Sequence, residues 1–388
     1  MASSDTNQRL INALSKFTDV KIQTSRQESR QAISLCLENI VKPVLQRVAE
    51  YEPRFKAEPP IPTSTYFEGL RVSALNEFEF LVSLVNLLSF RGFDDVGKRD
   101  PKYGCYGYLV AKHSNFEIDD LVEKIPKRAS PEGYTGLGVM SAKKVKEKFY
   151  KLVQTAVENL SLSPELNTKV YLQGSSDTIP VLKVQHGDRM YNIELVPCIT
   201  LQSDWPPTAE GWGNETNAWL TAEEAKEVKK FGFQLLPTRC PLDADDGNLW
   251  RLSFCRGEKF LLKHSNIDSV NGNGRRKQCE RILKTIREAN REAFLPLVSY
   301  HIKTVFLHES MKFPDPSQWT KDKLGERFKG LLRSLIYALE KGQCPHFFVR
   351  GCNLFAYYSQ ADLSRVAVLL RDILGSVTNH PDACKYLE

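Results

Sequence analysis

Apolar and polar positions recur with several different periods along this chain, and each change of period marks an element. From 24 to 50, Ile33, Leu37, Ile40, Val44 and Val48 fall at helical spacing and predict one long helix with a single buried stripe. Pro43 lies inside that pattern, where its missing N–H predicts a kink or a break. The proline-rich connector Glu52–Pro62 cannot continue the helix. Period-two patterns then predict strands at 66–73, 77–88, 169–172, 180–185 and 190–201, with Gly174–Asp177 and His186–Asp188 as turns. The stretch 91–140, rich in Gly, Tyr and charge, reads as a loop-rich insertion. Ser141 is the expected N-cap of a helix to about Leu160, with Val145, Phe149, Leu152, Ala156 and Leu160 on its apolar face. Beyond Pro206 helical periods dominate, at 221–231, 276–292, 296–310, 321–341 and 361–375. The pattern predicts a mixed sheet with a long helix in the first half and a helical bundle in the second.

One strand carries an unusual pair. In Glu77-Phe-Glu-Phe80 the acids fall on one face and the aromatics on the other. Two like charges two residues apart on a strand repel, and a hard divalent cation between them would remove that repulsion. The competing reading is the wet face of an edge strand. Glu194 is the only charge in Met190–Ile199, and a lone carboxylate among Ile193, Leu195 and Val196 needs a partner. That partner is either a basic residue across the sheet or a metal shared with Glu77 and Glu79.

Composition narrows the class. The 388 residues suffice for two domains or one bilobal unit, and 41% hydrophobic with 26% charged residues describes a globular chain. The longest apolar stretch, Phe80 to Phe90, is interrupted by Ser83, Asn86 and Ser89, so no membrane span is expected. The polar N-terminus lacks a signal core, and the nine cysteines are odd in number and scattered, which points to reduced thiols in a cytosolic or nuclear protein, with a cytoplasmic location expected. A net charge of +6 is mild, so clustering decides whether it matters. Lys143, Lys144, Lys146, Lys148 and Lys151 decorate one helix, and Arg275, Arg276 and Lys277 open another. Positive charge at a helix N-terminus opposes the dipole, so either an anion such as nucleic-acid phosphate compensates or the face is simply solvated. A Walker-type phosphate loop and a Gly-x-Ser-x-Gly elbow are both absent. Cys344, His346 and Cys352 are too sparse for a zinc ribbon, so no structural zinc is expected.

Tyr66–Glu79, Ser141-Ala-Lys-Lys-Val145, Tyr191–Pro197, Ser203–Pro206, Trp250–Phe254, Ser299–Thr304, Cys344–Phe348 and Asn353–Phe355 carry a resemblance in their order and spacing. From about residue 25 to its end the chain resembles the cyclic GMP–AMP synthase-like receptors and related male-abnormal-21 (Mab-21) domain proteins, template-independent nucleotidyltransferases of the polymerase-beta type. The resemblance implies a bilobal α/β (α+β) fold. A nucleotidyltransferase core with an N-terminal spine helix would occupy 1–215, and a helical lobe 216–388. It implies that Glu77, Glu79 and Glu194 bind two Mg²⁺, with Mn²⁺ as a substitute, and that Thr65, Arg251, Ser253, Glu258, Lys284, Ser299 and Tyr300 contact nucleotide. Lys284 would meet phosphate and Tyr300 would stack on a base. A surface lysine and a core tyrosine are the plainer readings of those two. Arg26, Arg30, Lys42, Arg47, Lys143, Lys144, Lys148, Lys151, Arg275, Arg276 and Lys277 are the expected nucleic-acid contacts.

The implied activity joins NTPs into a cyclic dinucleotide when duplex nucleic acid binds, with dimerisation on that duplex. The chain departs from the family pattern in three ways. Ser64-Thr65 replaces a Gly-Ser pair, two acids are Glu where the best-known synthase has Asp, and that enzyme's zinc-binding insertion is missing. Members without the insertion are often sensors of double-stranded RNA in innate immunity, so RNA rather than DNA is the implied activator. Some Mab-21 proteins without Gly-Ser have no established catalysis, which leaves a silent nucleotide- or nucleic-acid-binding protein as the alternative. An enzyme adding single nucleotides to RNA ends is a third reading.

Overall fold

The computed structural model describes residues 2–23, 26–63, 77–87, 90–111, 116–124, 138–202, 205–243, 246–264 and 275–387. The expected strand at 66–73 and the Ser64-Thr65 pair lie outside the described residues.

The N-terminal helical region is longer than its periodicity suggests. Helix α1 (Ala2–Phe17) precedes it and buries Leu10, Ile11, Leu14 and Phe17, a helical stripe legible in hindsight. A π-helical segment at Thr18–Gln23 follows, and Gln278 donates to the Thr18 hydroxyl at 2.8 Å. The spine itself is α2 (Arg26–Cys36) and α3 (Lys42–Tyr51), joined by a π-turn at Leu37–Val41. There the Lys42 N–H donates to the Leu37 carbonyl five residues back. Pro43, in the first turn of α3, has no N–H to offer the Asn39 carbonyl, so the helix changes register immediately before it.

Among the described residues, eleven strands build one sheet: β1 (Ile61–Pro62), β2 (Glu77–Ser83), β3 (Phe90–Asp95), β4 (Tyr106–Ala111), β5 (Val122–Lys124), β6 (Gly138–Met140), β7 (Thr168–Gln173), β8 (Val181–His186), β9 (Arg189–Leu201), β10 (Phe233–Leu236) and β11 (Trp250–Ser253). Its order is β1-β2-β9-β10-β11-β4-β6-β5, with β3 on β4 and the β7–β8 hairpin on β9. Among these described strands, only β2 and β9 run parallel. Strands β3 to β6 fall within the stretch read as loop. Strand β4 is buried at every position, so it shows no alternation to betray it. The sheet takes strands from both sides of residue 215.

Helix α4 (Ala142–Glu158) packs its apolar face against α3, with Phe55 stacked on Phe149 at 6.4 Å, and the Ser141 hydroxyl accepts from Lys144 N–H at 3.4 Å. After α5 (Ala222–Lys230) and α6 (Cys255–His264), the helical lobe comprises α7 (Arg276–Ala289), α8 (Arg291–Phe294), α9 (Ser299–Lys312), α10 (Leu324–Lys341) and α11 (Gln360–Asn379). Helix α1 packs against α10 and α11 while α3 packs against α4, so the N-terminal segment touches both the sheet side and the helical lobe. Among the described residues, no helix is long and apolar enough to cross a membrane.

Candidate active site

The parallel pairing of β2 with β9 sets Glu79 directly opposite Glu194 and Glu77 opposite Asn192. Phe78 and Phe80 turn to the other face, into the core, where Phe78 stacks on Tyr191 at 5.9 Å. Residues two apart on a strand, or in register on neighbouring strands, share a face. Glu77, Glu79 and Glu194 therefore open together into a cleft of about 950 Å³ between the sheet and the helical lobe. Burial by its strand neighbours, then the charges of Glu79 and Glu77, push the Glu194 carboxyl above its usual range, with Arg291 opposing. Glu194 still reaches the cleft solvent, and the neighbouring carboxylates are the part of this shift that a cation would reverse.

Each acid on β2 also has a protein partner. The Thr63 hydroxyl donates to the Glu79 carboxylate, and Thr63 N–H donates to the Glu79 carbonyl at 3.0 Å. Arg291, reaching from α8, stands 3.6 Å from Glu77 and 3.6 Å from Glu288. Among the described residues, no three His, Cys, Asp or Glu side chains are already gathered tightly enough to hold a metal. Glu77 leans toward Arg291 and Glu79 toward Thr63, and like charges gain nothing by approaching each other unaided. Three carboxylates on one face nevertheless fit a hard divalent ion in donor chemistry.

The same cleft is lined by Arg251, Ser253, Glu258, Lys284, Ser299 and Tyr300, which come from β11, α6, α7 and α9. Arg251 is exposed. Lys284 is buried and paired with Glu280 one helical turn back, at 2.8 Å. Tyr300 is held in a chain whose directions follow from its ends. The backbone N–H groups of Phe348 and Val349 both donate to His346 Nδ1 at 3.0 Å, so Nδ1 carries no proton. Burial, then the Arg251 charge, lowers the His346 pKa to about 3, so the ring is neutral and its proton sits on Nε2. Nε2–H then donates to the Tyr300 hydroxyl at 2.9 Å, and that hydroxyl donates to Glu258 at 3.0 Å. Lys303 completes the chain by donating to the other Glu258 oxygen at 3.0 Å. Thr63, Arg291, Lys303 and His346 were not singled out from sequence as cleft residues. The helical spacing of Lys284, Glu288 and Arg291 could have suggested Arg291, and Lys303 and His346 lie inside segments that carry the resemblance.

The basic residues fare differently from one another. Lys143 and Lys151 are exposed on α4. Lys144 pairs with Glu123 at 2.9 Å, while Lys148 pairs with Asp120 at 2.5 Å and Glu52 at 3.2 Å. Lys42 pairs with Glu38 at 2.6 Å, and Arg47 is half-buried. Arg26 and Arg30 lie on α2, their side chains outside the described set. Arg275 is half-buried. Arg276 and Lys277 correct the expectation of a phosphate-facing cluster, because both are buried. The Arg276 guanidinium lies 4.9 Å from the Trp319 ring and 5.6 Å from the Trp219 ring, and donates to the Ser310 and Pro314 carbonyls. These residues pack the helical lobe rather than face a partner.

Two family descriptions match the chain. The Mab-21 protein nucleotidyltransferase domain spans residues 66–264, and the Mab-21 protein HhH/H2TH-like domain spans 275–372. With the acid-bearing strands inside the first match and most of the helical lobe inside the second, the chain belongs to the Mab-21 family and has its nucleotidyltransferase fold.

Proposed function

We propose that this protein is a nucleic-acid-activated nucleotidyltransferase that joins NTPs into a cyclic dinucleotide, with double-stranded RNA as activator in innate immune sensing. The observation that carries the reading is the register of Glu79 with Glu194, which brings three carboxylates into a cleft shared with Arg251, Ser253 and Ser299. Glu77, Glu79 and Glu194 would hold two Mg²⁺, or Mn²⁺, and when bound these ions supply charge neutralisation at phosphate and acidify an acceptor hydroxyl. Arg251 and Ser253 orient the triphosphate from β11, and Ser299 meets it from the first turn of α9. An acceptor ribose oxygen on the acid side attacks the α-phosphorus in line and pyrophosphate leaves. A second transfer from the linear product closes the ring. Tyr300, held by His346 and Glu258, presents a ring of fixed orientation for a base.

The duplex would lie along α3 and α4, with Lys143 and Lys151 as its exposed contacts. Recognition there is through shape and backbone, with little sequence preference. The setting is the cytoplasm, and two copies would share one duplex. A binding protein without turnover is the second reading. It is favoured by the partners already held by Glu77, Glu79 and Lys284. Incubating the pure protein with four labelled NTPs, Mg²⁺ or Mn²⁺, and duplex RNA or DNA separates them. A cyclic product supports the first reading, a lengthened RNA supports end-addition, and bound but unchanged NTP supports the second.

A further inference from the structure

Away from the acids, the cleft wall holds a pair of facing cysteines. Cys105 immediately precedes β4, and Cys352 lies in the loop between α10 and α11, 247 residues further on. Their sulfurs are 2.7 Å apart, closer than two unbonded sulfurs ordinarily rest. The backbone imposes this approach from both sides. Leu252 N–H donates to the Cys105 carbonyl at 2.8 Å, and His346 N–H donates to the Cys352 carbonyl at 2.9 Å. The Tyr357 hydroxyl donates to the Lys102 carbonyl at 2.9 Å, clamping the same loop to the sheet side. Gly104 makes room, because a Cβ there would sit 2.6 Å from Cys352 Cβ and 2.8 Å from its Cα. Each cysteine is only 7% exposed, yet both line the cleft, so a small oxidant reaches them through it while bulky reagents do not.

We propose that Cys105 and Cys352 form a reversible disulfide on reaction with hydrogen peroxide, a cross-link that staples the sheet to the helical lobe along one wall of the cleft. One thiol gives up its proton and its sulfur attacks a peroxide oxygen; the O–O bond breaks, the leaving hydroxide takes that proton to become water, and a sulfenic acid remains. The second sulfur attacks the first, the S–O bond breaks, the S–S bond forms and a second water leaves. Two electrons pass from the thiol pair to peroxide, and a dithiol reductant reverses the change. Bonding distance is about 2.05 Å, so the sulfurs need to move by well under an ångström. The bond would join the start of β4 to the loop that carries His346, and so hold the cleft at its present width.

The test uses the full chain, reduced and then treated with peroxide at neutral pH without nucleotide. Remaining thiols are alkylated and the digest is mapped by mass spectrometry. The expected result is one Cys105–Cys352 peptide about 2 Da lighter than its thiol pair, lost on adding dithiothreitol, together with a melting midpoint raised by roughly 5 °C. Cys352→Ser should abolish both changes. Gly104→Ala should slow cross-linking several-fold while the protein remains folded by circular dichroism. Alkylation of both cysteines, their separate over-oxidation, or a link to another thiol would overturn the proposal, and the wild-type map decides this even if a variant fails to fold. The bond is read without substrate, so its failure is separable from failure of the transferase reading.

Discussion

Glu79 and Glu194 are register partners on the two strands that run parallel, and their carboxylates share the cleft face of the sheet. That single relationship joins Glu194 to the Glu77 and Glu79 pair, more than a hundred residues earlier, in one negatively charged spot. If it holds metal as proposed, Glu194→Gln should slow product formation about a thousandfold, the loss expected for roughly 4 kcal/mol of transition-state stabilisation. Single-turnover assays with labelled NTP check this, and near-wild-type rates would remove the acids from the mechanism.

The same residue predicts a pH effect on folding. A Glu194 pKa above 4.5 means that the folded state keeps this proton longer than the unfolded chain does. Ionisation on raising the pH from 4.5 upward therefore costs stability, and below 4.5 the cost disappears. Glu194→Gln should be more stable than wild type at pH 7 and indistinguishable at pH 4. Urea midpoints at the two pH values measure the difference.

Glu52 and Asp120 carry the opposite sign. Hydrogen bonds from Arg54, then from Lys148, lower each carboxyl to about 2. Their contribution is present above the unfolded values of 4.5 and 3.8, and is lost as the pH falls toward 2. The double variant Glu52→Gln, Asp120→Asn should flatten the acid limb of the stability curve over that window, as followed by circular dichroism.

Tyr300→Phe removes the central member of the chain from His346 to Glu258. It leaves the His346 N–H without its acceptor and Glu258 with one donor fewer, so stability should fall by about 1–3 kcal/mol in denaturant titration. His346→Ala should produce a non-additive loss with it, because both act through one network.

Arg291 competes with metal for Glu77 in the proposed site. The pair is half-exposed, at 54% and 59%, so its worth is small. Arg291→Gln should tighten nucleotide-free Mn²⁺ binding by up to about fivefold at low salt, read by electron paramagnetic resonance. Equal affinity in both proteins would exclude the competition.

Much of the fold was legible in the sequence because local periodicity wrote it. The helices at 141–160, 221–231, 276–292 and 321–341 each carry one apolar face, and Ser141 and Thr221 cap two of them. Strands β4 and β10 were not legible, since strands buried on both sides lack alternation. Burial also could not be read from charge. Arg275-Arg-Lys277 looks like a surface cluster, yet a half-turn of helix and two tryptophans draw Arg276 into the core.

By itself, the sequence determined which side chains could share a face along each element, because backbone geometry ties facing to spacing over a few residues. Only the tertiary structure decided which faces meet. Strand register brought Glu194 to Glu79, and the docking of the C-terminal loop brought Cys352 to Cys105, across separations over which residue spacing carries no distance information. The physical reason is that these contacts depend on how whole elements pack, and packing sums many weak contacts that no local pattern records.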